Sequence, residues 1–338
     1  MSNLNTYGDI SPRTAGFAVR KLLDRMQPLL VTERFGVVDP QPKNATKTRK
    51  WRRYEALARA TAPLAEGVPP VGQKLTYTDV TATLEQYGDA VELTDVILDT
   101  HEDPILNESI DLCKEQAVES IEVVRFAVLK AGTNVQYATG ATTRATVDAK
   151  IDRGMLRKIQ RGFKRNRARP ISTIIKASAL VSTAPVAPAF FVVGHTDLES
   201  DIRGITGFVP VDQYSNSDKG LPGEIGKVES FRFILTDLLE SWQAAGVAGT
   251  TYLSGGAAVT TNTACDVYPV LFFAQNAYGI VPLQGAKAII PAVVNPKPSS
   301  GDPCGQKGWV SWKTYQATAI LQQLFMCRGE VAATANPT

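Results

Sequence analysis

The residues of this sequence best suited to acid–base chemistry or metal binding are its two histidines, His101 and His195. His195-Thr-Asp197 follows the apolar run Phe190 to Val193, and a histidine at a strand end can act as a general base. No GxSxG or other nucleophile motif accompanies it. His101 lies among acids, where capping or solvent exposure accounts for it. We therefore predict structural roles for both histidines.

Cysteines, carboxylates and glycines predict no further site. The four cysteines are far apart and form no CxxC pair, so neither a zinc site nor a disulfide framework is indicated. Asp99 and Asp103 lie in a wholly acidic stretch without a distinctive partner. Residues 223–226 and 254–256 match neither a Walker loop nor a dinucleotide-binding fingerprint, and turns are expected there. We predict no catalytic, cofactor-binding or metal-ligating residue, and a protein that is not an enzyme and has no cofactor.

Charge is segregated along the chain, although 36 basic and 33 acidic residues nearly balance. Residues 43–59 contain seven basic side chains and one acid, whereas residues 75–113 contain ten acids and no lysine or arginine. We interpret this as complementarity between neighbouring copies rather than as cross-strand ion pairs within one chain. In a second basic run, residues 153–169, a solvated helix face explains the charges better than phosphate binding.

Two long elements are predicted in the first half of the chain. Apolar residues at helical spacing predict a short amphipathic helix over residues 13–33. Two alternating segments around a turn-rich tip predict a hairpin over about residues 46–95. Pro104 then opens a long helix that reaches Ala131. Its apolar seam, at steps of three and four residues, is Leu106, Ile110, Cys113, Ala117, Ile121, Val124 and Val128.

The second half predicts helices and strands without a βαβ rhythm, so the expected fold class is α+β. Helices are predicted at residues 148–166 and 232–245. Strands are predicted near residues 135–138, 171–181, 189–193, 267–274, 279–283, 288–294 and within 308–325. Polar residues, glycines and prolines interrupt the long uncharged runs, so no transmembrane span is expected. The N-terminus lacks the pattern of a secretory signal.

Short motifs in a fixed order carry a family resemblance over most of the chain. They are Leu64-Ala-Glu-Gly-Val-Pro-Pro70, Leu84-Glu-Gln-Tyr-Gly88, Leu93-Thr-Asp95, Val135-Gln-Tyr-Ala-Thr-Gly140, Gly223-Glu-Ile-Gly226 with Arg232-Phe-Ile234, Asp266-Val-Tyr-Pro269, Asp302-Pro-Cys-Gly-Gln-Lys-Gly308 and Trp312-Lys313. With the order of elements, they resemble the major capsid proteins of N4-like tailed phages, which have the Hong Kong 97 (HK-97-like) capsid fold. The Lys-to-Asn crosslink of that fold's namesake has no matching motif here, so noncovalent stabilisation is expected.

The resemblance implies a particular domain organisation. It consists of an N-terminal arm (1–45), an extended E-loop hairpin (46–95), a P-domain with a long spine helix (96–150), an A-domain (151–300) and a C-terminal segment that returns to the P-domain (301–338). The implied function is that of a structural subunit that self-assembles into pentamers and hexamers. These would form an icosahedral shell around double-stranded phage DNA.

The partners implied are further copies of the chain, packaged DNA by nonspecific contact, scaffolding and portal proteins and, in some shells, a decoration protein, with no membrane. The implied location is the virion capsid, assembled in the bacterial host cytoplasm. An encapsulin-like cellular compartment is the alternative within this structural class. From other classes, a nucleic-acid-binding protein would use the basic clusters 43–59 and 153–169, and an enzyme would use His195.

Overall fold

The computed structural model describes most of residues 31–335. Most of the helix predicted over residues 13–33 lies outside the described residues, as do His101, Asp103 and Pro104. Within residues 31–335, the positions not described are 43, 45, 65, 68, 101–104, 177–181, 215–219, 259–262, 284–289 and 299–300.

The secondary structure is a mixture of one long helix, three shorter helices and many strands in the described ranges. The α-helices are α1 (Asp95–Thr100), α2 (Ile105–Lys130), α3 (Arg153–Arg165) and α4 (Glu199–Arg203). The 3-10 turns are Thr32–Arg34, Arg144–Thr146, Thr196–Leu198, Val211–Gln213 and Gln323–Phe325. The strands are β1 (Val37–Val38), β2 (Thr48–Tyr54), β3 (Tyr77–Thr83), β4 (Glu85–Thr94), β5 (Val135–Tyr137), β6 (Ile171–Lys176), β7 (Ser182–His195), β8 (Phe208–Pro210), β9 (Glu224–Val228), β10 (Phe231–Thr236), β11 (Ala248–Gly249), β12 (Leu253–Ser254), β13 (Ala257–Ala258), β14 (Thr263–Ala264), β15 (Tyr268–Phe273), β16 (Tyr278–Pro282), β17 (Ile290–Val294), β18 (Lys307–Ile320) and β19 (Met326–Val331). None of the described helices is long and apolar enough to cross a bilayer.

One sheet, here called the platform sheet, is built around the 14-residue strand β18. It has the order β1-β16-β18-β17, and β4 pairs along the other edge of β18 from Thr94 opposite Lys307 to Glu85 opposite Gln316. The first half of α2 packs on this sheet, where the indole N–H of Trp312 donates to Gln116 at 3.0 Å. The apolar residues between them are Leu93, Ile97, Ile105, Cys113, Ala117, Val310 and Trp312.

The predicted seam of α2 is correct up to Ile121 and wrong beyond it. Cys113, Ala117 and Ile121 are buried, and the half-buried Leu106 and Ile110 pack against the same core. Val124 and Val128 are also half-buried, but they are outside the apolar clusters of the described residues. In the last turns the buried residues are Glu122, Arg125, Phe126 and Leu129. The face rotates because this part of the helix contacts the segment of residues 31–35, whose backbone N–H groups need acceptors.

A second sheet, here called the central sheet, has the order β5-β19-β15-β7-β10-β9-β8, with β6 paired to β7. Both faces of its inner strands are covered. Alternate residues face α3 and its surroundings, among them Phe190, Val192, Phe231, Phe233, Val270 and Phe272. The residues between them face the end of α2, among them Phe191, Val193, Ile234, Leu271 and Phe273.

The helix predicted over residues 232–245 is wrong. Residues 231–236 form β10, in which every residue is buried, and it pairs in parallel with β7. A strand buried on both faces shows no polar alternation, so its sequence pattern does not distinguish it from a buried helix. The remaining predicted strands and the helix α3 lie close to their expected positions, and the mixed α and β composition is confirmed.

Candidate subunit interface

The hairpin of β2 and β3 carries its own charge compensation. Its strands pair antiparallel from Thr48 opposite Thr83 to Tyr54 opposite Tyr77. Asp79 of β3 accepts from the Arg52 guanidinium at 2.8 Å and pairs with Lys50 at 2.6 Å. The hydrogen bond from Arg52, and after it the one from Lys50, holds the pKa of Asp79 far below its usual range. Lys50 and Arg52 therefore meet Asp79 across the strands of one chain, which corrects for these residues our interpretation that the charges serve contacts between copies. Asp79 is the one acid of residues 75–113 that forms an ion pair with the basic segment among the described residues.

The base of the hairpin is fixed to its own subunit. Asp39 accepts from Nε of Arg49 at 2.7 Å and from the indole N–H of Trp51 at 3.0 Å, while Arg53 donates to the backbone carbonyl of Leu321 at 3.3 Å. Apolar residues of the hairpin and the platform sheet meet beneath it, namely Ala82, Leu84, Val281 and Ala319. A cavity of about 380 Å³ remains there, lined in part by Trp51.

Among the residues described at the end of the hairpin (55–76), none is buried in a core. Four large apolar side chains point into solvent, with exposed fractions of 54% for Leu57, 73% for Leu64, 95% for Val71 and 61% for Leu75. Several large apolar side chains exposed at one end of a hairpin are more than the single exposed residues that a monomer surface usually carries, and they indicate a protein contact site. The surface formed by these four residues is here called the hairpin tip.

Residues 31–42 form a strap that connects α2, the platform sheet and the hairpin. The Glu122 carboxylate accepts from the backbone N–H groups of Val31 and Thr32, both at 2.8 Å. Arg125 pairs with Glu33 at 2.9 Å and donates to Gln316 at 2.9 Å. β1 then adds to β16 in parallel. The strap therefore reaches the hairpin in a direction set by buried polar contacts.

Two groups of buried ion pairs lie in and beside the central sheet, and the first of them joins two segments that carry the family resemblance. Glu224 and Arg232, whose side chains are both buried, form a two-pronged pair at 2.6 and 2.7 Å between β9 and β10. Glu330 is fully buried and pairs with Arg144 at 2.8 Å and Arg328 at 2.9 Å. The turn expected over residues 223–226 is limited to Gly223, because Glu224 begins β9 and contributes the buried charge. Charged residues inside apolar strands are the sequence signal for both pairs.

The predicted chemical candidates are dispersed in the structure. Nδ1 of His195 accepts from the backbone N–H of Asp197 at 3.1 Å and thereby caps the turn Thr196–Leu198. The Tyr268 hydroxyl donates to Asp197 at 2.7 Å. Burial raises the pKa of Tyr268, and the hydrogen bond to Asp197 raises it further. A cavity of about 480 Å³ at the start of α2 contains Asp95 and Asp99 in its lining. Among the described residues, no cluster of His, Cys, Asp and Glu is suited to hold a metal ion.

Residues 77–287, more than half of the chain, match a family model described as phage capsid protein. The chain belongs to the phage capsid protein family. The match begins in β3, on the hairpin whose tip is exposed, and continues through the central sheet. This family is a structural one and not an enzyme family.

Relatives of this phage capsid protein agree with the family match. It is 24% identical over 255 residues to the major capsid protein of Pseudomonas phage KPP21, an alignment that covers 71% of this chain and 64% of that protein. The chain thus matches less than two thirds of that relative's length.

Solved capsid structures share the fold of this phage capsid protein. The capsid of Ralstonia phage GP4 superposes with a TM-score of 0.67 over 100% of both chains, at 12% identity. The Cyanophage Pam1 capsid has a TM-score of 0.61 over 97% of this chain and 100% of the Pam1 chain, also at 12% identity. The head of Helicobacter pylori bacteriophage KHP40 gives 0.59 over 97% of each chain, at 12% identity. Together these likenesses establish a capsid-type α+β fold, and nothing in them supports a nucleic-acid-binding protein.

Proposed function

We propose that this chain is the major capsid protein of a tailed bacteriophage, of the N4-like type, and that its copies form the shell of the virion. The fold is of the Hong Kong 97 type, with α2 as the spine helix and the hairpin as the E-loop. The segments are the N-terminal arm (1–45), the E-loop (46–95), the P-domain (96–150), the A-domain (151–300) and the C-terminal segment (301–338).

The observation that carries this proposal is the hairpin tip. A projecting element with four exposed apolar side chains is unfavourable in an isolated subunit, because that surface stays in water. Its base is held firmly by Asp39, so the tip is presented at a defined distance from the body of the subunit. In a shell, each tip is covered by the adjacent copy. Pentamers and hexamers repeat this one contact around a ring.

The other expected features follow from a purely structural role. No residue is catalytic and no cofactor is needed. Scaffolding and portal proteins assist assembly in the bacterial host cytoplasm, a decoration protein adds to the outside in some shells, and the closed shell holds double-stranded DNA.

Electron microscopy of the purified protein tests the proposal. The unmodified chain is expected to form shells or rings. A variant with Leu64→Ser and Val71→Ser is expected to remain folded, with an unchanged unfolding midpoint, and to stay as free subunits. A matched control with Val247→Ser and Leu324→Ser changes two other exposed apolar residues and is expected to assemble normally. Shells at full yield from the tip variant would contradict the role of the tip.

A further inference from the structure

Helix α3 uses one side to pack and leaves the other side to solvent. Met155, Leu156, Ile159 and Phe163 are buried against the central sheet. Asp152 caps the first turn by accepting from the backbone N–H groups of Gly154 and Met155. The helix is therefore anchored without using any of the basic side chains on its opposite side.

Those basic side chains form a surface here called the α3 basic face. Lys158, Arg161 and Arg165 follow one another at helical spacing on one side of α3. All members of the face are exposed, and they are Lys158, Arg161, Lys164, Arg165, Arg167 and Arg169. Within the described part of the chain no ion pair engages any of them, whereas the neighbouring Arg153 and Arg157 both pair with Glu229.

Arg167 holds its place on this face in an unusual backbone conformation. Its φ is 57°, in the left-handed region, where the N–H groups of Arg167 and Ala168 close the helix on Lys164 and Phe163. Glycine is the residue that takes this position at least cost. An arginine here adds a cation to the exposed face at the expense of backbone strain.

The composition of the face distinguishes among classes of partner. Protein interfaces have an apolar or aromatic centre and are depleted of lysine. Among the described residues, no large apolar side chain between positions 124 and 246 is exposed. The hairpin tip, in contrast, exposes four large apolar side chains, as a protein interface does. Contacts to nucleic-acid phosphates need only cations, and arginine suits them well.

The two basic clusters of the sequence thus differ in their availability. In the hairpin cluster, Arg49, Lys50, Arg52 and Arg53 pair with Asp39, Asp79 or Glu55 of the same chain. The cations of the α3 basic face have no such partners among the described residues. In the hairpin cluster, Lys47 and Arg59 are the described basic residues outside these ion pairs, whereas all six cations of the α3 basic face are available to compensate an external negative charge.

We propose that the α3 basic face lies on the inner surface of the shell and contacts the phosphates of the enclosed double-stranded DNA without sequence preference. This inference rests on the proposed function and assigns one surface of the subunit to the genome. The contact is a weak one, repeated over many copies, and its strength comes from the release of counterions.

Binding of a short fluorescent DNA duplex to the purified protein, measured by anisotropy at several salt concentrations, tests the proposal. Replacing Lys158, Arg161 and Arg165 by Gln is expected to weaken binding and to flatten the dependence of log K on log salt by roughly 0.9 for each phosphate that the variant no longer neutralises. Replacing Lys74, Lys297 and Lys313 by Gln removes the same charge from exposed positions elsewhere. It is expected to leave the slope unchanged.

The variant Arg167→Gly separates loss of charge from loss of folding. Glycine suits the left-handed conformation better than arginine, so the variant is expected to fold at least as well as the unmodified chain. It should nevertheless reduce the slope of log K against log salt by about 0.9 for a single phosphate. Equal slopes for the unmodified chain and both α3 variants would overturn the proposal.

The location of α3 in assembled particles provides the second test. An inward-facing α3 in electron microscopy maps is expected. A position on the outer surface, or an α3 basic face covered by an acidic surface of another copy, would overturn the inference. Normal particles with an unchanged salt slope contradict this inference alone, whereas failure of the unmodified chain to form particles contradicts the proposed function.

Discussion

The Glu122 carboxylate in α2 holds the backbone N–H and the hydroxyl of Thr32, 90 residues earlier in the chain, where neither residue is exposed to solvent. The Tyr278 hydroxyl donates to the carbonyl of the same Thr32, so both backbone groups of this residue are satisfied by buried side chains. Arg125 lies beside Glu122 at 3.8 Å. One carboxylate thus fixes the point at which the strap joins the body of the subunit.

Replacing Glu122 by Gln is expected to lower the free energy of unfolding by about 3 kcal/mol, because it removes the buried one of the two charges that compensate Arg125 and leaves donors without a full acceptor. Urea unfolding of the unassembled subunit measures this. The matched control is Glu119→Gln on the exposed side of the same helix, which should change stability by less than about 0.5 kcal/mol. Similar losses in both variants would contradict the anchoring role.

Ile121 tests the apolar part of the same helix. It is buried, with 7% of its surface exposed, whereas Val123 two residues later is 36% exposed. Ile121→Ala is expected to cost about 2 to 5 kcal/mol through the cavity that it leaves, and Val123→Ala less than about 0.5 kcal/mol. Denaturant titration of both variants checks the orientation of α2, and equal costs would show that it is wrong.

The Asp79 carboxylate governs the local order of the hairpin. Because its pKa lies far below the usual range, the pairs with Arg52 and Lys50 persist on acidification and are lost only as pH falls through that lowered pKa. Asp79→Asn is expected to speed amide hydrogen exchange in β2 and β3 at neutral pH, while the rest of the chain exchanges as before. The control Glu66→Gln removes an equal charge from residues 55–76. Unchanged exchange in the Asp79 variant would show that the pairs do not order the strands.

The four cysteines should differ in reactivity. Burial raises the pKa of Cys327 to about 12 and also raises the pKa of Cys113 and Cys265, so their thiolate populations near pH 8 are small. Cys304 is exposed. Alkylation of the native subunit near pH 8, followed by mass spectrometry, should modify Cys304 alone, and unfolding in urea should make all four reactive. Rapid native labelling of Cys327 would contradict this.

How far the sequence predicts the structure depends on the kind of signal. The long helix and the hairpin are predictable because they have repeated apolar spacing and a turn-rich tip. The second half of the α2 seam is not, because burial of Glu122 and Arg125 depends on a strap far away in sequence. The β10 strand resembles a helix in sequence because burial on both faces erases the alternation that identifies strands.

The hairpin illustrates a second limit of prediction. The opposite charges of residues 43–59 and 75–113 are visible in the sequence, yet the sequence analysis assigns their pairing to neighbouring copies. Which strands pair, and in which register, decides whether Arg52 meets Asp79 or solvent, and composition does not contain that information. The exposed tip is also invisible in the sequence, because only a structure shows that Leu64 and Val71 are exposed rather than part of a core.

The position of β18 imposes an order of events during translation. A nascent chain synthesised only as far as residue 300 contains β4, β16 and the strap, but lacks the strand that joins them into the platform sheet. Until residues 307–320 have been added, the apolar cluster beneath the hairpin is incomplete, because Ala319 belongs to that cluster. We therefore expect subunits to associate after translation rather than during it, because the base that presents the tip is complete only once β18 has been made.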